Sequence, residues 1–172
     1  MSAEEEVKEH IEHAREPFDK MVAASMAIIA ALLAVVSVLG QHYNTEELLK
    51  QQQASDEWAF SQAKDIRRYI ASATQDSLAQ AKADPKAVSK YAGDSAKYEK
   101  QRAEIQEKAK DFERERDGSG KKATRFHFGE VFLEVAIVLS SLSILAKRRP
   151  LYFGAIGSAI IGLVWAATGL AS

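Results

Sequence analysis

Three residues at the start of one apolar stretch have the types and spacing to do chemistry. Glu130 and Glu134 stand four apart, hence on one face of a helix, and His127 precedes Glu130 by three on the same side. Two carboxyls and an imidazole so placed can handle a proton or an ion, or clasp a polar group on a neighbouring helix or subunit. The residues around them, Phe126-His127-Phe128-Gly129-Glu130-Val131-Phe132-Leu133-Glu134, lead into residues 135–146, which carry no charge. Without 126–134 that run is too short to cross a bilayer, so Glu134 is expected inside the hydrocarbon, roughly 12 Å from Phe126 by helix rise. A carboxylate there costs about 2.5–3.5 kcal/mol on insertion scales unless it is protonated, paired or facing a wet interior. The blander arrangement leaves Glu130 among aromatic anchors at the interface and hydrogen-bonds Glu134 to a neighbouring helix.

The elements that must position these residues are apolar helices. Residues 151–170 carry no charge over twenty positions, enough to cross a hydrocarbon core of roughly 30 Å. Between this run and 126–146 lies the basic corner Lys147-Arg148-Arg149-Pro150, which predicts a tight turn at a membrane surface. The last run carries a small residue at every fourth position, Gly154, Ser158, Gly162 and Ala166. Such a stripe admits another helix closely and gains packing that lipid does not supply. Ala27 with Ala31, and Ala30 with Ala34, form a weaker version in the first apolar run, 21–39. That run is expected to be a retained transmembrane helix rather than a signal peptide, because its leader is acidic and VSVLG-QHY is a poor cleavage site.

Composition narrows the functional classes. The 172 residues have a formal net charge of −1, so no basic excess points at nucleic acid. The absence of cysteine removes disulfides, thiolate metal sites and cysteine nucleophiles. Three prolines and nine glycines leave the polar parts with few interruptions, as long helices require, and no strand-length alternating segment stands out. No P-loop, Gly-x-Ser-x-Gly, His-Glu-x-x-His or dinucleotide fingerprint occurs. The expectation is a chain with no enzymatic activity and no cofactor.

Residues 41–125 leave the bilayer in this reading. Thr45-Glu46-Glu47 has the composition of a helix start, and a helical pattern continues to Asp84-Pro85, where proline forces a break. The following helix has a heptad seam at Val88, Tyr91, Ser95, Tyr98, Arg102, Ile105, Ala109 and Phe112, interrupted only by its arginine. A looser face, Ala59, Ala63, Ile66, Ile70 and Ala73, is expected to answer it from the first helix. Two antiparallel helices turning near 84–85 would make a stalk, and Asp117-Gly118-Ser119-Gly120 is expected to return the chain flexibly to the bilayer. Trp58 and Phe60 are bulky aromatics at a largely polar place, a candidate docking surface for a protein partner. Packing between the stalk helices is the commoner role for such residues.

Residues 1–20 carry an amphipathic acidic helix pattern with apolar positions at Val7, Ile11, Ala14 and Phe18. His10 and His13, with Glu6 and Glu9 nearby, have a spacing open to a divalent metal, although exposed helix histidines are usually solvated. Arg15, Lys20 and the corner 147–149 place the N-terminus in the cytoplasm and the stalk outside it, while Lys121, Lys122 and Arg125 vote the other way.

Taken in order, the acidic leader, membrane helix, Ser55-Asp56, Trp58-Ala59 and Gln62-Ala63-Lys64 segment, charged hairpin and closing membrane hairpin show a resemblance. The chain resembles the bacterial membrane-protein family filed as domain of unknown function 4337, with Ala136-Ile137-Val138-Leu139 running into Lys147-Arg148-Arg149 as a further match. The resemblance implies a multi-pass protein of the bacterial inner membrane and lends no activity. The expected fold is all-α, with three transmembrane helices at 21–40, 126–146 and 150–170 and an extramembrane coiled-coil-like hairpin at 41–125. The expected function is a homo-oligomeric scaffold or interaction module, its partners the bilayer, further copies of itself and an unidentified protein at the stalk. The rival is a small oligomeric channel or ion-coupled transporter subunit using Glu130 and Glu134. In either case the glycine stripe serves close helix packing, and the Glu134 face lies at a subunit boundary or axis.

Overall fold

The computed structural model describes residues 17–171, which are helical throughout apart from two turns and Ala171, with no strand among them. Helix α1 spans Pro17–Gln80, α2 Pro85–Ala146 and α3 Arg149–Leu170. All three contain stretches long and apolar enough to cross a membrane. The candidate metal pair His10 and His13 lies outside the described residues.

Both turns close in the same way. Lys82 and Lys147 take positive φ, 50° and 48°, at the position after the helix where glycine is usual. At the first turn, Ala83 N–H donates to Leu78 O at 3.0 Å and Lys82 N–H to Ala79 O at 3.1 Å. At the second, Arg148 N–H donates to Ser143 O and Lys147 N–H to Ile144 O, both at 3.3 Å. These bonds satisfy the last carbonyls of each helix, and a proline in the next first turn needs no N–H partner there.

Two expected interruptions are absent. The backbone is helical through Thr45-Glu46-Glu47, and it stays helical through Asp117-Gly118-Ser119-Gly120. An acidic pair near a helix start contributes only about 0.3–1 kcal/mol, too little to end a helix already propagating. Each glycine costs about 1 kcal/mol relative to alanine in a helix. The helix is already propagating on both sides, and two such residues cost too little to break it.

The chain divides into two compact units. Among the described residues the first comprises 17–44 and 120–171. Its core holds Ile29, Val36, Phe126, Leu133, Ala136, Ala159 and Ala166, with Leu33, Leu39, Tyr43, Ile137 and Leu163 packed against them. α1 enters through Val22, Ile29 and Val36, buried at every seventh position, followed by half-buried Tyr43. Ala27, Ala30, Ala31 and Ala34, the expected packing alanines, are exposed instead. The exposed side also carries Ile28, Val35 and Val38, so on a stretch that is apolar all round residue size does not choose the interior; the fit against the partner helices does.

The second unit, Thr45–Ser119, is an antiparallel pair made by the end of α1 and the start of α2. From α2, every member of the heptad seam from Val88 to Phe112 is buried or half-buried, Ala109 completely. From α1, the expected face is not the one used: Ala59, Ala63, Ile66, Ile70 and Ala73 are all exposed. The inner side is Ala54, Glu57, Trp58, Ser61, Lys64, Asp65, Arg68 and Ala71. The reason is the polar partners waiting on α2. Trp58 Nε1 donates to Glu113 Oε1 at 2.8 Å, Lys108 pairs with Glu57, and Arg116 donates to Gln51 Oε1 at 2.7 Å.

Arg102, the residue that interrupts the seam, sits in a four-membered charge network. It meets Asp65 at 3.3 Å and Glu99 at 2.8 Å, while Arg68 lies 3.0 Å from each of the same two carboxylates. The hydrogen bond from Arg68 to Asp65 holds that guanidinium above its ordinary pKa; desolvation opposes this, and the charges of Asp65 and Glu99 reinforce it. Arg68 therefore keeps its charge at any ordinary pH.

Candidate functional site

His127, Glu130 and Glu134 lie on α2 in the first unit. His127 Nδ1 stands 3.4 Å from Glu130 Oε2; the imidazole is exposed and the carboxylate half-buried. Glu134 is exposed, and no hydrogen bond or ion pair joins it to another described residue. The structure thus brings His127 and Glu130 together and leaves the second carboxylate alone on the outer side of an apolar helix. Among the described residues, no group of three His, Cys, Asp or Glu side chains could hold a metal ion.

The small-residue stripe is occupied within the chain. Ser158, Gly162 and Ala166 are buried, joined by Ala155, Ala159 and Gly169, whereas Gly154 lies exposed at the edge. Their partner is α2. A Cβ on Gly162 would lie 2.8 Å from Gly129 O, and one on Gly129 would lie 2.8 Å from Gly162 O. The two backbones cross where neither residue has a side chain. Ser158 Oγ donates to Phe132 O at 2.7 Å and extends the contact toward the basic corner. Gly129 was not singled out from the sequence, although a glycine in the apolar run preceding a glycine-striped helix is the signal that points to it.

Phe126, fully buried, closes the opposite end. Its ring stacks on Tyr43 with centroids 5.6 Å apart and planes 10° from parallel. It lies beneath Gly40 and Gly169, where an added Cβ would come within 3.2 and 3.0 Å of it. Cations flank the unit at both ends. Lys122 sits over Tyr43 at 5.3 Å and Arg125 donates to Thr168 O at 2.7 Å, while Arg149 sits over Phe18 at 5.8 Å. Near Phe18, Ser25 Oγ and Tyr152 Oη share a hydrogen bond of 2.9 Å.

In the hairpin unit the two candidate docking aromatics separate. Trp58 turns to the inner side and binds Glu113, whereas Phe60 is 51% exposed with Lys64 over its ring. Two residues along a helix is about 200°, so the pair cannot share one surface. Phe60 belongs instead with Ala59, Ala63, Ile66, Tyr69, Ile70 and Ala73, an exposed side of α1 that also carries Arg67, with Lys64 over the Phe60 ring and the Arg68 guanidinium 4.1 Å from the Tyr69 ring. The exposed side of α2 in this unit carries Lys97, Lys100, Glu104, Glu107, Lys110, Asp111 and Arg114. A cavity of about 170 Å³ lies between the helices, lined by Arg67, Ile70, Ala71, Tyr91, Asp94 and Tyr98. It is smaller than the roughly 300 Å³ at which small-molecule pockets begin.

One family model matches the chain, over residues 18–172, and its description is a domain of unknown function, DUF4337. No curated protein and no solved structure matches. The matched region takes in both units, with the close α2–α3 crossing, the paired hairpin helices and the carboxylates of α2, and on that match the chain belongs to the DUF4337 family.

Proposed function

We propose that this chain is a self-associating protein of the bacterial inner membrane, in which the first unit is the membrane anchor and the hairpin an extramembrane scaffold or interaction surface. The observation that carries the interaction role is the asymmetry of the hairpin. The outer side of α2 is densely charged, as a solvated helix side is, whereas the outer side of α1 keeps two isoleucines, a phenylalanine and a tyrosine exposed. Contiguous apolar surface of this kind on a soluble part marks a protein-binding site. The pairing with α2 occupies the other side of the same helix and leaves that surface free.

Apolar length supports the anchor, and charge supports the orientation. Lys20 and the corner 147–149 favour a cytoplasmic N-terminus and an extracytoplasmic hairpin, against Lys122 and Arg125 at the other end. A photo-crosslinking amino acid at Ile70 is expected to form covalent protein adducts in intact cells, and one at Lys100 none. Ala96→Cys, on an exposed position in a chain without cysteine, is expected to react there with a membrane-impermeant thiol reagent. Equal adducts at both positions would remove the interaction surface, and labelling only after lysis would reverse the orientation.

One observation favours a second reading, a small oligomeric channel or ion-coupled transporter subunit. Glu134 is an exposed, unpartnered carboxyl in an apolar stretch, and such groups mark ion and proton paths. Ion flux in vesicles of the purified protein that Glu134→Gln abolishes is the result that would select it.

A further inference from the structure

The outer side of α2 in the first unit carries a seam of its own. His127, Val131, Glu134, Val138, Ser141 and Leu145 are all exposed, at alternating steps of four and three. Polar side chains recur at every seventh residue, His127, Glu134 and Ser141, and apolar ones at every seventh between them, Val131, Val138 and Leu145. The residues α2 buries within the chain, Phe126, Gly129, Leu133, Ala136, Ser140 and Ser143, lie on the opposite side. α1 and α3 are therefore already accommodated, and this seam remains outside.

Lipid is a poor occupant for it. Acyl chains hold no donor or acceptor for Glu134 or Ser141, and the polar positions recur at every seventh residue. That period is the one that keeps two left-handed crossing helices in contact along their length. We propose that a second copy of this chain packs on the seam, parallel and in register, so that His127, Glu134 and Ser141 form polar layers between apolar layers of Val131, Val138 and Leu145. The inference rests on the membrane-spanning reading given above, and adds to it the partner and the contact surface.

The chemistry is self-complementary. Copies inserted with one orientation in one membrane run parallel, so in-register pairing sets each residue against its own counterpart. Valine meets valine, and a serine hydroxyl, being donor and acceptor at once, bonds another. Glu134 meets Glu134, so each carboxyl group has a polar counterpart where hydrocarbon supplies none. Slipping by one step would set Glu134 against valine, and a polar layer in an apolar seam fixes register for that reason. The small-residue stripe of α3 does not compete for this role, since Gly162 is closed against Gly129 of its own chain.

The chain's lack of cysteine allows a direct test on the full-length protein in native membranes. Under mild oxidation, Val131→Cys and Val138→Cys are expected to form disulfide-linked dimers, because only positions that approach closely can bridge. Val35→Cys on α1 and Ile160→Cys on α3, also exposed, are expected to give several-fold less. Adding Glu134→Ala to Val138→Cys should lower its dimer fraction several-fold, whereas Glu134→Gln, which still donates and accepts, should retain it. Equal bridging at all four positions, or none at the seam in a chain that resists alkaline extraction, overturns the seam. Bridging to a different protein does so as well. Release of the chain by the alkaline wash would instead sink the membrane reading, and the seam with it.

Discussion

Gly162→Leu is expected to unseat α3 from α2. A side chain there has no room to swing clear: its Cβ alone would lie 2.8 Å from Gly129 O, 3.1 Å from Phe132 Cβ and 3.2 Å from Leu133 Cγ. Two of those atoms are backbone or next to it, so relief requires the helices to separate. Separation forfeits the contacts of Ser158, Ala159 and Ala166 along the same crossing. Overpacking a tight core costs about 1–3 kcal/mol, and a leucine against a backbone carbonyl belongs at the upper end. On the proposed membrane-spanning reading, lipid offers no rival attraction and close packing is what holds the two helices, so little else compensates. Gly129→Leu should do the same from the other side, whereas Gly157→Leu, with nothing within 4 Å, should be silent. Unfolding of the purified chain in mixed detergent micelles measures the difference. A Gly162→Leu protein as resistant as the Gly157→Leu control contradicts the crossing.

Trp58→Ala is expected to loosen the hairpin by about 2–4 kcal/mol, somewhat below the range for a fully buried aromatic because the ring is half-buried. Two losses combine. The indole leaves a gap against α2, and Glu113 Oε1 loses the donor it holds at 2.8 Å. Trp58→Phe separates them, keeping most of the ring while removing the N–H, and should cost about 1–2 kcal/mol. Phe60→Ala, two residues away but on the exposed side, should stay within about 0.5 kcal/mol. Hydrogen exchange of residues 45–119 in the full chain reports these differences, since local opening of the pair is what each substitution promotes. Equal protection in the Trp58→Ala and Phe60→Ala proteins would show that the tryptophan does not hold the two helices together.

What the sequence determined by itself was whatever depends on a single helix or a single turn. Apolar length marked one membrane-length stretch in each of the three helices, since it is a property of consecutive residues. Asp84-Pro85 and Lys147–Pro150 marked the turns, because a proline lacks the N–H that a helix interior needs and fits only its first turn. The α2 seam from Val88 to Phe112 was legible because the apolar choice on that helix has no competitor. The opposite outer positions of α2 are mostly charged.

Only the tertiary structure decided which side of each helix meets which partner. On α1 the alanines and isoleucines from Ala59 to Ala73 lost the interior to Trp58, Asp65 and Arg68. The gain from burying alanine is small, and Glu113, Glu99 and Arg102 on α2 offered specific bonds. Asp117-Gly118-Ser119-Gly120 reads locally as a loop, but it lies inside a helix that continues on both sides. Glu130 and Glu134 share a face by spacing, yet only His127 lies beside one of them, so Glu130 is partnered and Glu134 is not. The Gly129–Gly162 contact depends on two helices choosing each other, and that choice is a difference in energy between whole pairings. A pattern along one helix does not contain it.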